Sequence, residues 1–496
     1  MKIPQYLENI IAELEKAGFE AWVVGGCVRD LLMERVPNDW DLTTNALPTD
    51  VLKIFPDGKY ENDFGTVILP LKDAEEKLID VIEITTYRSE QGYSDRRRPD
   101  EVRFEQDIDA DLARRDFTVN ALAMRSEKSL LPLKKDLEQF VIKQDGWVII
   151  DLFGGVKDIE KRIIRAVGEP MDRFKEDSLR MMRAIRFTCQ LGYKMEEKTE
   201  RAILKMAGAI KFIARERIAI ELIKIFKSDR AYDGIMSLHE NKILQYIIPE
   251  MEAGVGMDQN HHHIFTVFEH GVLALKYCPS TDWRVRLAAL IHDIGKPKVK
   301  KVIDGKATFY NHEYVGARIA NKLCANLKLS TDDSEKIVTL VRNHMFYYNV
   351  DEVTAASVRR LIKKAGEENL KDLIDLRIAD RLGSGTKKAV PYKLRHLQYM
   401  FEKVRHDPVS VKMLKINGTD LMTELNIAPS PKIGEILDVL LSEVIEDPAL
   451  NEKEYLSKRS KELNEMDSSE LRERAKDLID EAREQEDRQM KRGHKV

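Results

Sequence analysis

The apolar positions change period several times along the first 150 residues. Residues 1–17 carry helical spacing with acids on the polar side. EAWVVGG then predicts a strand, VRDLLMER a short helix and DWDLTT a second strand, with GTVILPL (65–71) and VIEITTYR (81–88) as further strands. Strands mixed with helices over this length predict one α/β sheet domain, residues 1–150. RSEQGYSDRRRPDEVRF (88–104) is polar and basic, contains Gly92 and Pro99, and predicts a mobile loop. Past DLFGGVKD (151–158) the pattern becomes helical, from about 159 to 410, as in DSLRMMRAIRFTCQL and RERIAIELIKIF. Near 410–435 the composition changes again, and KINGTDL and APSPKIG predict turns. From about Asn451 the chain is dense in Glu, Lys and Arg. Asp467 and Glu470 open a helix there as a capping box, and Leu471, Ala475, Leu478 and Ile479 line one face. No internal repeat is visible.

Composition narrows the class. At 496 residues the chain is too long for one core, and about three domains are expected. With 33% charged and 43% hydrophobic residues it has the composition of a soluble globular protein. No apolar run is long enough to span a membrane, and the acid-bearing N-terminal helix pattern is not a signal peptide. Cys27, Cys189, Cys278 and Cys324 fall in neither metal nor disulfide spacing, so a cytoplasmic, reduced setting is expected. The net charge of −4 means that any nucleic-acid binding must come from local basic patches.

Two features of VVGGCVRDLLMERVPNDWDLTT (23–44) carry chemistry. Gly25 and Gly26 lie between a strand and a helix, where the backbone can approach a phosphate and the helix N-terminus offers free N–H groups. Asp39 and Asp41 are spaced i, i+2, which on a strand puts both carboxylates on one face, where they can hold Mg²⁺. Two metals there could activate an attacking hydroxyl and steady a leaving pyrophosphate. Glu83, between Ile82 and Ile84, points opposite to them and is a candidate third carboxylate. A lone Asp-x-Asp is ordinarily a solvated turn and a lone Gly-Gly a loop. Their order in a strand–helix–strand context carries the reading.

GGCVRD and DWDLTT together resemble the signature of the DNA polymerase β superfamily of nucleotidyltransferases. RRDFTVNALA (114–123), DLFGGVKD (151–158), EDSLRMMRAIRF (176–187) and RERIAIEL (215–222) follow in the order found in class II, bacterial-type CCA-adding tRNA nucleotidyltransferases, which share much of this pattern with bacterial poly(A) polymerases. The resemblance covers about residues 10–230. It implies an α+β protein, with a polymerase-β-like head followed by an all-α neck. It also implies template-independent addition of C, C and A to the tRNA 3′ end from CTP and ATP, with Mg²⁺ as the catalytic metal. Asp39 and Asp41 would hold metal, Gly26 and Arg29 would contact the nucleotide, and Arg115 would position it. Asp177 and Arg180 would read the base, with Arg183 and Arg186 close by. On a helix, Asp177, Arg180 and Arg183 would share one face. A carboxylate accepts from the exocyclic amino group of cytosine or adenine, and a guanidinium donates to the ring acceptor beside it. Uracil and guanine present a carbonyl where that amino group should be, and so leave buried groups unpaired. Family members that add only CC are expected to lack most of the 88–104 loop. Its presence favours CCA addition or addition of the terminal A alone. Arg96, Arg97 and Arg98 on it are either solvated or in contact with RNA phosphate.

A second set lies in the helical region. His270 in FEHGVLALKY, His292 and Asp293 in LAALIHDIGKPK, and Asp380 in LRIADRL resemble the HD phosphohydrolase superfamily. Imidazole and carboxylate ligands suit a divalent transition metal, and His312 and His344 could complete a second position. Such a domain could hydrolyse phosphoesters, a 2′,3′-cyclic phosphate on tRNA for example, or serve only as a body that grips tRNA. The HHH run at 261–263 is expected in a loop that binds no metal. Many class II members have a purely helical body without an HD set, and here the chain departs from them. The expected parts are therefore a head (1–150), a base-selecting, RNA-binding neck (151–232), an HD domain (233–408) and a helical C-terminal region (409–496) whose charged helices are most simply solvated surface. The alternatives are an A-adding-only enzyme, a poly(A) polymerase, or a metal-dependent phosphohydrolase with a nucleotide-binding module. Oligomeric state stays open.

Overall fold

The computed structural model describes residues 2–61, 65–72, 75–91, 101–259, 264–303, 306–346, 354–386, 392–404, 410–472 and 474. The chain divides into two compact units, Met1–Pro249 and Glu250–Val496.

The first unit is built on a mixed sheet. Its strands are β1 (Ala21–Val24), β2 (Asp41–Thr44), β3 (Lys59–Tyr60), β4 (Thr66–Lys72) and β5 (Leu78–Thr86). A short ribbon, β6 (Arg88–Gln91) with β7 (Glu101–Phe104), interrupts the series, which resumes with β8 (Leu122–Ser126), β9 (Val141–Gln144) and β10 (Trp147–Asp151). The sheet order is β3-β4-β5-β2-β1-β8-β10-β9. Only β2 and β5 pair in parallel; the other neighbours are antiparallel. All four residues of β1 are buried, as a central strand covered on both faces requires. The helix Gln5–Lys16 buries Leu7, Ile10, Ile11 and Leu14, an i, i+3, i+4, i+7 stripe. β5 alternates, with Ile82 and Ile84 buried and Val81 and Glu83 exposed, so Glu83 lies on the face opposite the core.

One sequence expectation changes here. The 88–104 segment is a loop only in part. Its ends pair as the antiparallel ribbon β6–β7, from Arg88 opposite Phe104 to Gln91 opposite Glu101. Backbone pairing at its root satisfies donors and acceptors that the polar composition alone does not reveal. Arg96, Arg97 and Arg98 lie outside the described residues.

Helices follow the sheet, among them Pro170–Glu176, Arg180–Leu191, Arg215–Phe226 and Ala231–Glu240. The last packs on the two before it and ends within the first unit. A short parallel pair, β11 (Ile163–Ile164) with β12 (Lys194–Met195), brackets the first two of them along the chain.

Among its described residues the second unit is mostly helical, with one ribbon, β13 (Lys301–Ile303) with β14 (Lys306–Thr308). The molecule is thus α+β, a mixed-sheet head with a mostly helical remainder. Glycines let elements of the second unit approach closely. A Cβ on Gly271 would come within 2.5 Å of the Leu290 carbonyl oxygen, one on Gly383 within 2.8 Å of Ala274 N, and one on Gly295 would run into the His312 carbonyl. Residues 411–471 form a separate apolar cluster around Ile436, Val439, Leu440 and Val444. Asp467 and Glu470 make the expected capping box, with Glu470 N donating to Asp467 Oδ1 (2.9 Å) and Asp467 N to Glu470 Oε2 (2.9 Å). Leu471 is fully buried; Ala475, Leu478 and Ile479 lie outside the described residues, as does the HHH run.

Candidate functional sites

In the first unit, strand register assembles a carboxylate cluster. Asp41 opens β2 and lies directly opposite Glu83 of the parallel neighbour β5, and opposite Val24 of β1. Asp39 is not on the strand. It occupies an exposed bend just ahead of it, with Trp40 buried between the two aspartates. The bend, not the strand alternation expected from the i, i+2 spacing, brings Asp39 into the field of the other two. Burial raises the pKa of Asp41, Arg115 pulls it back, and Asp39 raises it again. Glu83 is raised by burial, then by Asp41, Glu61 and Asp39. Three carboxylates that disfavour one another's charge are a donor set that a divalent cation satisfies. Glu61 is a further acid at this cluster, and no motif singles it out.

Gly25 closes the other side. Its φ of 83° lies in the left-handed region, and a Cβ there would meet Arg115 Nη1 at 2.8 Å and Asp41 Oδ2 at 3.6 Å. Arg115 is held by Asp111 (Nη2 to Oδ2, 3.2 Å), whose carboxyl is buried yet kept below its usual pKa by Arg114 and Arg115. Gly26 starts the helix Gly26–Leu32. Arg29 on that helix is buried, donates Nη1 to Asn120 Oδ1 (2.7 Å), and lies 5.4 Å from the Phe187 ring centroid.

The neck residues depart from the expected pattern. The helix begins at Arg180, so Asp177 precedes it and does not share its face. Asp177 turns back to accept Leu179 N (3.0 Å), a capping geometry that competes with helix at this position. Its carboxylate is gripped by Arg217, not Arg180, through Nη1 to Oδ1 (3.2 Å) and Nη2 to Oδ2 (2.6 Å). Arg180 donates to Glu176 (2.5 Å) and to the carbonyls of Arg173 (3.2 Å) and Arg114 (2.9 Å). Arg183 donates Nε to Asp116 Oδ2 (2.7 Å), and Asn120 and Phe117 N donate to Oδ1. Burial works against the Asp116 charge, but Arg183, Arg180 and these bonds outweigh it and bring its pKa down to about 2. Arg186 is buried beside Glu221 (3.2 Å) and lies 4.2 Å from the Phe187 ring centroid; burial lowers its pKa to about 10. Arg217 and Glu221 both belong to RERIAIEL, so the motif was visible although no role was attached to these two side chains.

In the second unit all six residues of the second set converge. His270 lies on the helix Val267–Tyr277, His292 and Asp293 at the end of Trp283–Ile291, His312 at the start of His312–Asn326, His344 at the end of Thr331–Asn343, and Asp380 on Leu370–Gly383. Asp293 is shared between two groups. Its Oδ2 lies 3.3 Å from both His270 Nε2 and His292 Nε2, and Asp380 Oδ1 is 3.3 Å from His270 Nε2. Its Oδ1 lies 3.2 Å from His312 Nε2 and 3.7 Å from His344 Nε2. Each of the two groups, His270–His292–Asp293 and Asp293–His312–His344, is compact enough to share one ion.

Hydrogen bonding behind the rings fixes which nitrogen faces inward. Nδ1 of His292, His312 and His344 donates to the carbonyls of Ala289 (2.8 Å), Phe309 (2.8 Å) and Val341 (2.7 Å). A carbonyl only accepts, so each Nδ1 carries the proton and each Nε2 presents a lone pair to the centre. His292 Nε2 lies 3.0 Å from His270 Nε2, and His312 Nε2 lies 3.2 Å from His344 Nε2. The lone pairs of His312 and His344, aimed at one another at that range, repel unless a cation lies between them, and this donor set fits a divalent transition metal. Burial and the neighbouring His292 and His312 hold His344 well below its ordinary pKa. Burial opposes protonation of His270 too, but Asp293 and Asp380 raise it to about 9. Lys296, itself buried, donates to Gln259 Oε1 (2.6 Å) and ion-pairs with Asp293 Oδ2 (2.6 Å).

Three family models match the chain. They are the poly A polymerase head domain over residues 21–165, the RNA- and SrmB-binding site of polymerase A over 192–254, and tRNA nucleotidyltransferase domain 2 over 308–459. A CCA-adding enzyme of Enterococcus faecalis is 31% identical over 454 residues, covering 90% of this chain and 93% of that protein. An A-adding tRNA nucleotidyltransferase of Deinococcus radiodurans is 32% identical over 350 residues, covering 67% of this chain and 74% of that one. The crystal structure of the Bacillus stearothermophilus CCA-adding enzyme in complex with CTP superposes with a TM-score of 0.66 at 26% identity, covering 94% of this chain and 98% of that one.

Proposed function

The chain belongs to the family of CCA-adding tRNA nucleotidyltransferases, and from that premise we propose that it adds C, C and A to the tRNA 3′ end from CTP and ATP, releasing pyrophosphate. Enzymes of this family use a divalent metal. The observation that carries the reading is the placement of Asp41 opposite Glu83, with Asp39 beside them and Arg115 packed over Gly25. Asp39 and Asp41 would hold Mg²⁺, with Glu83 as the third carboxylate, and there it would supply charge stabilisation for the attacking 3′-oxygen and the departing pyrophosphate.

The remaining roles belong to this chain's own side chains. The Gly25–Gly26 turn lets the triphosphate approach the backbone, and Arg115 and Arg29 pair with its phosphates. Asp177 accepts from the amino group of cytosine or adenine, positioned by Arg217. Arg180 exchanges its bond to Glu176 for the ring acceptor of the base. Arg183 and Arg186, fixed by Asp116 and Glu221, form the wall behind the base. In-line attack by the tRNA 3′-hydroxyl on the α-phosphate then extends the chain by one nucleotide. We take residues 1–150 as the catalytic head, 151–232 as the neck, 233–408 as the HD domain and 409–496 as the C-terminal region. No helix among the described residues is long and apolar enough to cross a membrane, and none of the four buried cysteines is in a disulfide. We place the enzyme in the cytoplasm.

Asp39→Ala is expected to abolish incorporation while tRNA affinity, read by filter binding, stays within about threefold of the parent. Near-normal incorporation by that variant would remove the assignment. Transcripts that gain only a terminal A would identify an A-adding specialist, the activity named for the Deinococcus relative, and long A tails a poly(A) polymerase.

A specific observation favours a second activity. The inward-facing Nε2 atoms of His292, His312 and His344, grouped about a shared Asp293, form a two-metal donor set. We infer that this HD centre takes two transition-metal ions and hydrolyses phosphoesters. Asp293→Ala should eliminate metal-dependent phosphate release and leave CCA addition intact.

A further inference from the structure

The segment between the two ligand-bearing stretches of the second unit has a composition of its own. Residues 296–310, KPKVKKVIDGKATFY, hold five lysines and one acid, in a chain whose net charge is −4. Its middle is the ribbon β13–β14. Register puts Lys301 opposite Thr308 and Ile303 opposite Lys306, so one face carries Lys301, Ile303, Lys306 and Thr308 together. Lys301 and Lys306 are exposed, Ile303 is 49% exposed, and Tyr310 just past the ribbon is 60% exposed. Exposed apolar and aromatic groups set among lysines are the surface that single-stranded RNA fits, with lysines on the phosphates and rings under the bases.

The ribbon is also tied to the metal-binding cluster. Lys296, at the start of the segment, ion-pairs with Asp293 and lies 5.6 Å from the centroid of the Phe309 ring at its end. The Phe309 carbonyl in turn fixes His312 Nδ1. Lys296 and Phe309 thus link both ends of the ribbon-bearing segment to Asp293 and His312.

We propose that the β13–β14 ribbon and Tyr310 dock the single-stranded 3′ end of an RNA and deliver its terminal phosphate to the Asp293-centred cluster. The inference rests on the phosphohydrolase reading of that cluster for its second half only. Docking is tested on the full chain with Mn²⁺ and a six-nucleotide, 3′-phosphorylated, 4-thiouridine-bearing RNA, by affinity and by photo-crosslink mapping. The expected result is crosslinks within 298–310. Affinity should be weaker by about tenfold or more in Lys301→Glu/Lys306→Glu, and the salt dependence of binding shallower by a slope of about one to two. Tyr310→Ala should weaken binding without changing that slope. Bound Mn²⁺ and CCA addition in both variants should match the parent, which separates lost docking from misfolding.

Unchanged affinity in the charge-reversed variant, or crosslinks only outside 298–310, would overturn the proposal. Hydrolysis is read separately with p-nitrophenyl phosphate and with the RNA. If RNA binding depends on the ribbon but neither substrate is cleaved, docking stands and delivery to a hydrolytic centre falls. If both are cleaved and charge reversal leaves the RNA KM unchanged, the hydrolytic reading stands and the docking proposal falls.

Discussion

The two acidic clusters of this chain are built in opposite ways. In the first unit the carboxylates stand at the mouth of a sheet. Register between β2 and β5 places two of them, and an exposed bend supplies the third. They repel one another, and burial raises the pKa of Asp41 and Glu83. In the second unit six candidate ligands, on helices or just past their ends, are packed inside the fold, with three rings locked by carbonyls behind them and Asp293 shared at the centre. With Asp39 and Glu83 exposed, the first cluster is open to a large charged substrate. The second is preorganised, and suits ions that stay. Openness in one and closure in the other is the contrast between a site that must take a triphosphate and a primer end and a buried donor set suited to ions that stay.

The largest test of that contrast is Asp41→Asn. Incorporation of CMP and AMP should fall by about a thousandfold or more, while metal bound by the second unit, measured by elemental analysis, should not change. Metal loss from both clusters would break the claim that they are independent. Next in size is Asp293→Ala. Because Asp293 is shared by both candidate groups, metal affinity should weaken at both by about a hundredfold, whereas His312→Ala should weaken it at one. Equal loss in the two variants would mean that Asp293 does not bridge.

Asp116→Asn sharpens the account of the first unit. Asp116 has a folded pKa of about 2 against 3.8 for an ordinary aspartate, so its ionised form is favoured by folding. That stabilisation, about 2 kcal/mol on the scale of pKa linkage, is present above the unfolded value. It is lost as pH falls through the folded value, between roughly pH 5 and 2. The variant should be destabilised at pH 7 and should show a flatter stability profile in that window. An unchanged profile would remove the charge from the argument. The smallest effect is expected for Arg217→Ala. Freed of its partner, Asp177 should discriminate less well, and UTP incorporation relative to CTP should rise by about tenfold. A change in the rate with CTP alone, at constant selectivity, would assign Arg217 to folding rather than to base reading.

These contacts also mark what the sequence could and could not disclose. Local patterns placed β1, β2, β4 and β5 within a few residues, because a covered strand and a half-covered one have different apolar periods. The side on which Glu83 lies followed from Ile82 and Ile84 alone. The second set was legible as residue types in order, but its sharing at Asp293 depends on where the two side-chain oxygens lie in the packed fold, which no spacing rule encodes. The 88–104 segment was misread at its ends, because the pairing of Arg88 with Phe104 is a non-local hydrogen-bonding fact. The neck was misread at Asp177. Its helix-compatible spacing to Arg180 and Arg183 hid a local cap and a partner 40 residues away at Arg217. Asp39 failed for a related reason, since the strand starts only after Trp40.

The most direct measurement uses three tRNA transcripts, ending at the discriminator base, in C and in CC. Each is incubated with Mg²⁺, CTP and ATP, and the 3′ ends are sequenced for the parent and for Asp41→Asn. The account predicts that all three are completed to CCA by the parent and that none is extended by the variant. Completion of the CC-ended transcript alone, open-ended A tails, or extension by Asp41→Asn at the parental rate would contradict it.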